Sequence, residues 1–214
     1  MPLIIKINPH AASPAGLEPA IKTLLRGGVI AGPTQTFYGL MAAADQPQAM
    51  ARVLELKGRD SRKPLLLLLD TSQRVLDYAQ SPPKSAADLA EAFWPGPLTL
   101  LVPAKPGLDP ALAGPSGGVG LRVEGLPIVR TLVQALGRAV TGTSANPGGE
   151  PPARTMAEVL AYFGDSLDLI LDGGPCPGAG PSTLIDACDS RPRLLRPGVL
   201  GLEELRAVVP DLQT

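Results

Sequence analysis

Glycine and proline make up nearly a quarter of this chain, with 24 glycines and 25 prolines among 214 residues. They are spread between short apolar runs rather than gathered into one segment. Because proline ends helices and cannot donate a strand hydrogen bond, and because glycine favours turns, long regular elements are excluded. The sequence therefore predicts many short strands and helices joined by tight turns.

The remaining composition is that of a folded domain. Hydrophobic residues make up 44% of the chain, enough to build a core, which excludes disorder as the main state. A chain of this length favours one domain, which we expect to span residues 1–214. The formal net charge of −1 excludes a globally basic surface of the kind that grips nucleic acid.

The sequence also predicts a location. No apolar run approaches the ~18 residues of a membrane-spanning helix, and no secretory leader opens the chain. The two cysteines, Cys176 and Cys188, form no C-x-x-C pair and give no disulfide framework, which fits a reducing compartment. We therefore expect a cytoplasmic protein with no membrane partner.

Histidine occurs once, at His10, and this restricts the chemistry. Only His10 could serve a Ser-His-Asp or Cys-His mechanism, and a metal site with several histidines is impossible. We predict no metal site built by the protein. The chemistry should depend on Lys, Arg, Ser, Thr, Asn and backbone groups, which hold anions and position reactants.

Apolar periodicity predicts strands and helices that interleave along the chain, which indicates an α/β fold with a mixed sheet. A helix is predicted over 46–57, and strands over 29–32, 65–69 and 138–143. The Pro/Gly-rich stretch 103–118 is predicted to be a long loop that could move over a site, or else a plain surface loop.

Polar residues follow several of these strands. Thr34 and Thr36 come directly after strand 29–32, and ligands bind at such carboxyl ends in α/β sheets. The stretch 143–151 follows another strand, with small residues whose amides can converge on an anion, and Ser182 stands in a similar segment. Each segment alone could also be an ordinary polar turn.

A group of cations surrounds the end of the helix over 46–57. Lys57 lies seven residues after Met50, on the apolar stripe, so its ammonium must reach solvent or an anion. Gly58 can end the helix in the left-handed conformation, and Arg59 and Lys63 follow. The alternative is a helix C-terminus with favourable cations.

Arg122 is a second kind of candidate. Val119, Leu121 and Val123 alternate toward one face of a predicted strand, so Arg122 points to the other. If that face is a cleft, its guanidinium could clamp a carboxylate or phosphate; an exposed strand arginine is the alternative. Together with Arg196, these segments give strand ends rich in cations and hydroxyls with almost no carboxylate, which suits a polyphosphate and a small carboxylated ligand.

No Walker A or G-x-G-x-x-G motif is present. In order, however, the segments resemble the YrdC/Sua5 family of threonylcarbamoyl-AMP synthases. The family pattern is Pro-Thr-Glu/Asp-Thr-x-Tyr-Gly-Leu, Lys-x-Arg with Pro-Leu downstream, Trp-Pro-Gly-Pro-x-Thr, a strand arginine, Ser-Ala-Asn-x-Ser-Gly, Ser-Thr-x-x-Asp and Leu-Arg-x-Gly. These match residues 33–40, 57–65, 94–99, 122, 144–149, 182–186 and 195–198.

The chain departs from this pattern at five positions. Gln35 stands where an acid is usual, and Glu124 replaces a proline after Arg122-Val123. The other departures are Met41, Asp60 and Gly148.

The resemblance implies a single-domain YrdC-like α/β fold, with a twisted mixed parallel and antiparallel sheet, flanking helices and a central cationic cavity. It implies that L-threonine, bicarbonate and ATP give L-threonylcarbamoyladenylate and pyrophosphate. The implied catalytic residues are Lys57 and Arg59. The implied ATP-binding residues are Lys57, Arg59, Thr143, Ser144, Asn146 and Arg196. The implied threonine-binding residues are Thr34, Thr36, Lys63, Arg122 and Ser182.

The resemblance also implies partners. Mg²⁺ would be carried on the ATP phosphates, and the product would serve N6-threonylcarbamoyladenosine (t6A) modification of tRNA, with tRNA and other proteins of that pathway as possible partners. Two alternatives stay open: a YciO-like paralogue with weak or different activity, and a binder of double-stranded RNA or tRNA, against which the neutral charge argues.

Overall fold

The computed structural model describes residues 1–11, 13–58, 64–114 and 117–214. Within these ranges short strands and helices interleave. The strands are β1 (Leu3–Lys6), β2 (Ile30–Pro33), β3 (Tyr38–Met41), β4 (Leu67–Leu69), β5 (Leu98–Pro103), β6 (Gly118–Val123), β7 (Val140–Thr141), β8 (Thr143–Ser144), β9 (Leu169–Asp172), β10 (Thr183–Asp186) and β11 (Arg193–Arg196). The helices are α1 (Glu18–Leu25), α2 (Pro47–Lys57), α3 (Val75–Tyr78), α4 (Lys84–Phe93), α5 (Pro127–Leu136), α6 (Met156–Phe163) and α7 (Leu202–Val208).

The strands divide between two mixed sheets. One has the order β1-β9-β2-β3-β8, with β1, β9 and β2 parallel and the β2–β3 and β3–β8 pairs antiparallel. The other has the order β11-β10-β5-β6-β4-β7, again with both kinds of pairing. The predicted α/β class with mixed pairing and flanking helices is confirmed, but the division of the strands between two sheets was not predicted.

One predicted strand is wrong in a way that matters for the site. Residues 138–143 do not form a single strand, because the chain breaks at Gly142 and joins both sheets. Strand β7 pairs with β4 in the second sheet, and β8 pairs with β3 in the first. Strand β3 itself was missed: residues 38–41 return antiparallel to β2, so the polar segment 34–37 is the tight turn of a hairpin.

Helix α2 follows its predicted pattern closely. Met50 and Val53 are fully buried, and Lys57 on the same stripe is only 4% exposed. Gly58 ends the helix with φ 53° and ψ 32°, the left-handed conformation that only glycine adopts without cost. The buried stripe therefore carries the Lys57 side chain into the interior instead of out to solvent.

Apolar side chains fill the space between the sheets and the helices. Helices α1 and α5 pack on each other; α1 also packs on β2 and β9 of the first sheet and α5 on β4 of the second, through residues such as Leu24 and Leu132, each of which contributes about 1.5–3 kcal/mol by burial. Between β5 and β6, the described residues of the predicted loop 103–118 form neither helix nor further strand, and Gly114 approaches the cavity described below. No helix in the described ranges is long and apolar enough to cross a membrane.

Candidate active site

A cavity of about 450 Å³ is lined by residues from both sheets. This volume lies within the range typical of small-molecule sites, about 300–1,000 Å³. Its wall includes most of the polar residues that the sequence singled out. These are Thr34, Thr36, Arg122, Thr143, Ser144, Ser182 and Arg196.

The β2–β3 hairpin presents two threonines at one side of the cavity. Thr34 and Thr36 are 6% and 8% exposed, and their Oγ1 atoms lie 3.1 Å apart. The Thr34 hydroxyl donates to Phe37 O at 2.7 Å, and its oxygen accepts from the Thr36 amide at 3.2 Å. The Thr34 hydroxyl therefore stabilises the turn, and the Thr36 side chain lies at the cavity wall.

The turn after β8 is organised by Lys57. The ammonium donates to Ser144 O at 2.7 Å and to Asn146 Oδ1 at 3.0 Å, and Ser144 Oγ donates to the same Oδ1 at 2.6 Å. Asn146 in turn donates from Nδ2 to Glu150 O at 2.7 Å. Ser144 lines the cavity, whereas Lys57 and Asn146 lie behind it and hold its backbone.

Another part of the wall joins β5, β11 and the residue before β10. Ser182 Oγ lies 2.8 Å from Thr99 Oγ1, and Arg196 donates to Ser182 O at 2.9 Å and to Ser182 Oγ at 3.1 Å. Gly198 lets the chain after β11 pass this wall, because a Cβ at 198 would lie 2.5 Å from Thr183 N. Thr99 was missed as a site residue, although the Trp-Pro-Gly-Pro-x-Thr motif that contains it was recognised.

Arg122 enters the cavity from β6, on the strand face that alternation predicts. It is only 4% exposed, so the alternative of an exposed strand arginine is wrong. Its NH2 group forms an ion pair with Glu124, whose side chain is fully buried. The sequence noted Glu124 only as a departure from a family pattern and did not predict this contact.

Two predicted cations, Arg59 and Lys63, fall outside the described residues, so their placement and the cationic character of the whole cavity stay predictions.

The single histidine and the cysteines lie elsewhere. His10 and Cys176 line a smaller hollow of about 260 Å³ that shares Thr34 with the cavity. Burial raises the pKa of the Cys176 thiol to about 11 and that of Cys188 to about 12, so neither is a ready thiolate at neutral pH. Within the described ranges, no three His, Cys, Asp or Glu residues come together as a metal-binding group.

Known proteins similar to this chain share its fold over most of its length. A family model, Sua5/yciO/yrdC, described as telomere recombination, matches residues 22–198. The threonylcarbamoyl-AMP synthase of Nitrosococcus oceani is 38% identical over 167 residues, 78% of this chain and 90% of the relative. That of Pyrococcus abyssi is 34% identical over 187 residues, 87% of this chain, which thus spans about half (55%) of the relative's length.

Solved structures extend the likeness to three dimensions. Pyrococcus abyssi Sua5 complexed with L-threonine matches with a TM-score of 0.92 and 30% identity, covering 100% of this chain and 62% of that chain. Escherichia coli YciO matches with a TM-score of 0.87 and 25% identity, covering 96% of this chain and 100% of that one. With a family model over residues 22–198 and relatives such as these, the protein belongs to the Sua5/YrdC/YciO family.

Proposed function

We propose that this protein is an L-threonylcarbamoyladenylate synthase, a nucleotidyltransferase that makes threonylcarbamoyl-AMP and pyrophosphate from L-threonine, bicarbonate and ATP. The observation that carries the proposal is the cavity between the sheets, where hydroxyls and arginines from five separate sequence segments meet (34–36, 122, 143–144, 182 and 196). The names of the relatives, and the threonine bound to Pyrococcus abyssi Sua5, support the same assignment.

The threonine half of the site would be the wall formed by the β2–β3 turn, β6 and β10. Arg122 is the natural partner of the substrate carboxylate, because a buried guanidinium binds a carboxylate with charge-assisted hydrogen bonds. Its Nε is buried and has no hydrogen-bond partner among the described residues. Thr34, Thr36 and Ser182 would meet the rest of the amino acid, and Lys63 is proposed to join them.

The nucleotide half would be the turn after β8 together with Arg196. Thr143 and Ser144 offer hydroxyls at the wall, and Asn146 keeps the turn in shape behind them. Lys57 places a positive charge beneath this turn, and Arg59 is proposed to reach the phosphates. Mg²⁺ would enter as part of the substrate, on the ATP phosphates, and needs no carboxylate cage from the protein.

The chemistry asked of these residues is positioning and charge neutralisation. Bicarbonate condenses with the threonine nitrogen, releasing water, and an oxygen of the resulting carbamate attacks the α-phosphorus while pyrophosphate leaves. Such a displacement requires alignment and stabilisation of phosphate charge more than a covalent nucleophile. Raised thiol pKa values and a lone histidine outside the cavity are consistent with that requirement.

The product's use follows from the same proposal. Threonylcarbamoyl-AMP would feed t6A modification of tRNA, with tRNA and other proteins of that pathway as partners, and the reaction would take place in the cytoplasm. We propose that one domain, residues 1–214, carries it out.

Pyrophosphate release tests the function directly. Purified protein is given ATP, Mg²⁺, bicarbonate and L-threonine, and each is omitted in turn; release should require all of them. Release that ignores threonine would refute the synthase and favour a YciO-like activity, to which the match with Escherichia coli YciO points. Salt-sensitive RNA binding without nucleotide turnover would instead favour an RNA-binding protein.

The role proposed for Arg59 has its own variant. Loss of a charge-assisted hydrogen bond to phosphate costs about 2–3 kcal/mol, so Arg59→Ala should lower kcat/KM for ATP by about 30- to 150-fold. Arg191→Ala, an arginine in the exposed turn before β11, is the matched control. An Arg59→Ala protein with unaltered ATP turnover contradicts that role.

A further inference from the structure

A single buried carboxylate ties together two parts of the cavity wall. Glu124, one residue beyond β6, is 0% exposed. Its Oε1 accepts from the backbone N–H of Gln35 at 2.8 Å and from the backbone N–H of Leu126 at 3.3 Å, and its Oε2 pairs with the Arg122 guanidinium. The carboxylate therefore connects β6, the β2–β3 turn and the start of α5.

The backbone of Glu124 is held independently of its side chain. Arg130 NH1 donates to Glu124 O at 2.7 Å and to Gly125 O at 2.8 Å, which fastens the end of β6 to helix α5. The carboxylate thus starts from a fixed point, and its two oxygens determine where the groups that bind to it can lie.

Every hydrogen-bond partner of this carboxylate is a donor. An ionised carboxylate offers two acceptor oxygens, whereas a glutamine side chain offers one acceptor oxygen and one NH2 group, which only donates. A glutamine at 124 would have to turn its NH2 group either toward the backbone N–H of Gln35 or toward the Arg122 guanidinium. In either orientation two donors would face each other, although the shape of the side chain is unchanged.

The groups held by Glu124 belong to the proposed threonine half of the site. Gln35 lies between Thr34 and Thr36, and Arg122 is the proposed partner of the substrate carboxylate. Two of the five positions that depart from the family pattern, 35 and 124, are thus in contact, through the backbone N–H of Gln35 and the carboxylate of Glu124.

We infer that Glu124 is a positioning residue that aligns Arg122 and the Thr34–Thr36 turn as one unit for the amino-acid substrate. This inference rests on the proposed function. It goes beyond that function because it assigns threonine affinity to a residue that lies outside the cavity wall and that the family pattern does not contain.

The experiment compares Glu124→Gln with Glu124→Asp in the pyrophosphate assay, after thermal unfolding has shown that each variant is folded. Glu124→Gln should raise KM for L-threonine at least 10-fold and change KM for ATP less than twofold. Glu124→Asp keeps two acceptor oxygens but is one methylene shorter, so it should raise the threonine KM more than twofold, though less than Glu124→Gln does. A space-filling role predicts the reverse order, because glutamine keeps the shape and aspartate does not.

Glu158→Gln is the matched control. The Glu158 carboxylate also accepts from backbone N–H groups, those of Arg154 and Thr155, but it is exposed and caps helix α6, which contributes no residue to the cavity wall. This variant should keep both KM values.

Several results would overturn the inference. Equal effects of Glu124→Gln on the two KM values would do so, as would a milder effect of glutamine than of aspartate. If Glu124→Gln does not fold, Glu124→Asp decides alone, and a threonine KM within twofold of the wild type refutes the role.

Wild-type protein that releases no pyrophosphate in response to threonine refutes the proposed function instead. Crystal structures of the wild type and of a folded Glu124 variant then decide the positioning role. An Arg122 guanidinium and a 34–36 turn that stay in place after the substitution overturn it.

Discussion

Replacing Lys57 with methionine separates the charge of a buried ammonium from its contribution to the fold. Two acceptors of Lys57 Nζ, Ser144 O and Asn146 Oδ1, each keep another donor in the variant: Ser144 O accepts from the backbone N–H of Asn146 at 3.0 Å, and Asn146 Oδ1 accepts from Ser144 Oγ at 2.6 Å. Neither acceptor is left unpaired, and the cost of burying a charge disappears. The free energy of unfolding should therefore fall by only about 1–2 kcal/mol.

Catalysis should suffer far more than stability. Removal of one group that stabilises developing charge costs about 10²–10³ in rate, so we expect kcat/KM for ATP to fall about 100-fold. Urea unfolding and pyrophosphate release, measured on the same preparation, separate the two effects. Lys84→Met, which breaks an exposed pair with Asp88, is the matched control and should change neither quantity. Wild-type turnover in Lys57→Met, or a stability loss above about 4 kcal/mol, would refute the reasoning.

Three further outcomes are expected. Gly198→Ala should lower the free energy of unfolding in urea by about 1–3 kcal/mol and displace Ser182, because a Cβ at 198 would lie 2.6 Å from Ser182 C. Gly16→Ala is the control and should be neutral, because a Cβ at 16 would meet only Ser13 Oγ, at 3.6 Å. Burial raises the pKa of the Cys176 thiol from 9.0 to about 11, so the stability that the neutral thiol contributes is complete below pH 9 and is lost as pH rises toward 11. Cys176→Ser should therefore reduce the decline of the melting temperature between pH 9 and 11. Chelation of Mg²⁺ should stop pyrophosphate release without lowering the melting temperature of the protein. A lower melting temperature after chelation would indicate a metal ion held by the protein itself.

The local elements were predictable because their signals are local. Helix α5 begins at Pro127 and ends before Gly137, and helix α2 ends at Gly58, as the positions of proline and glycine predict. Thr34, Thr36, Thr143 and Ser144 at the cavity wall were found for a similar reason. Each comes after a buried strand, and polar residues at strand ends gather at one edge of a sheet.

The division into two sheets was not predictable in this way. It depends on which strands pair across long stretches of chain, and apolar alternation is the same for either partner. The apolar pattern predicts one continuous strand over 138–143, yet the break at Gly142 gives β7 to one sheet and β8 to the other. The same break brings the Ser144 turn beside the Thr34–Thr36 turn, because β8 pairs with β3.

The Arg122–Glu124 pair shows a signal that was present and not used. Residues two apart at a strand end lie on the same face, so alternation that turns Arg122 toward a cleft turns the carboxylate after it the same way. Opposite charges in these positions are expected to form an ion pair, above all where both are buried, because an unpaired buried charge is strongly destabilising. Comparison with a family pattern recorded Glu124 as a departure, whereas the geometry of the strand alone was enough to predict its contact. A departure that brings a charge onto the face of a predicted site residue is therefore to be examined first as a partner of that residue.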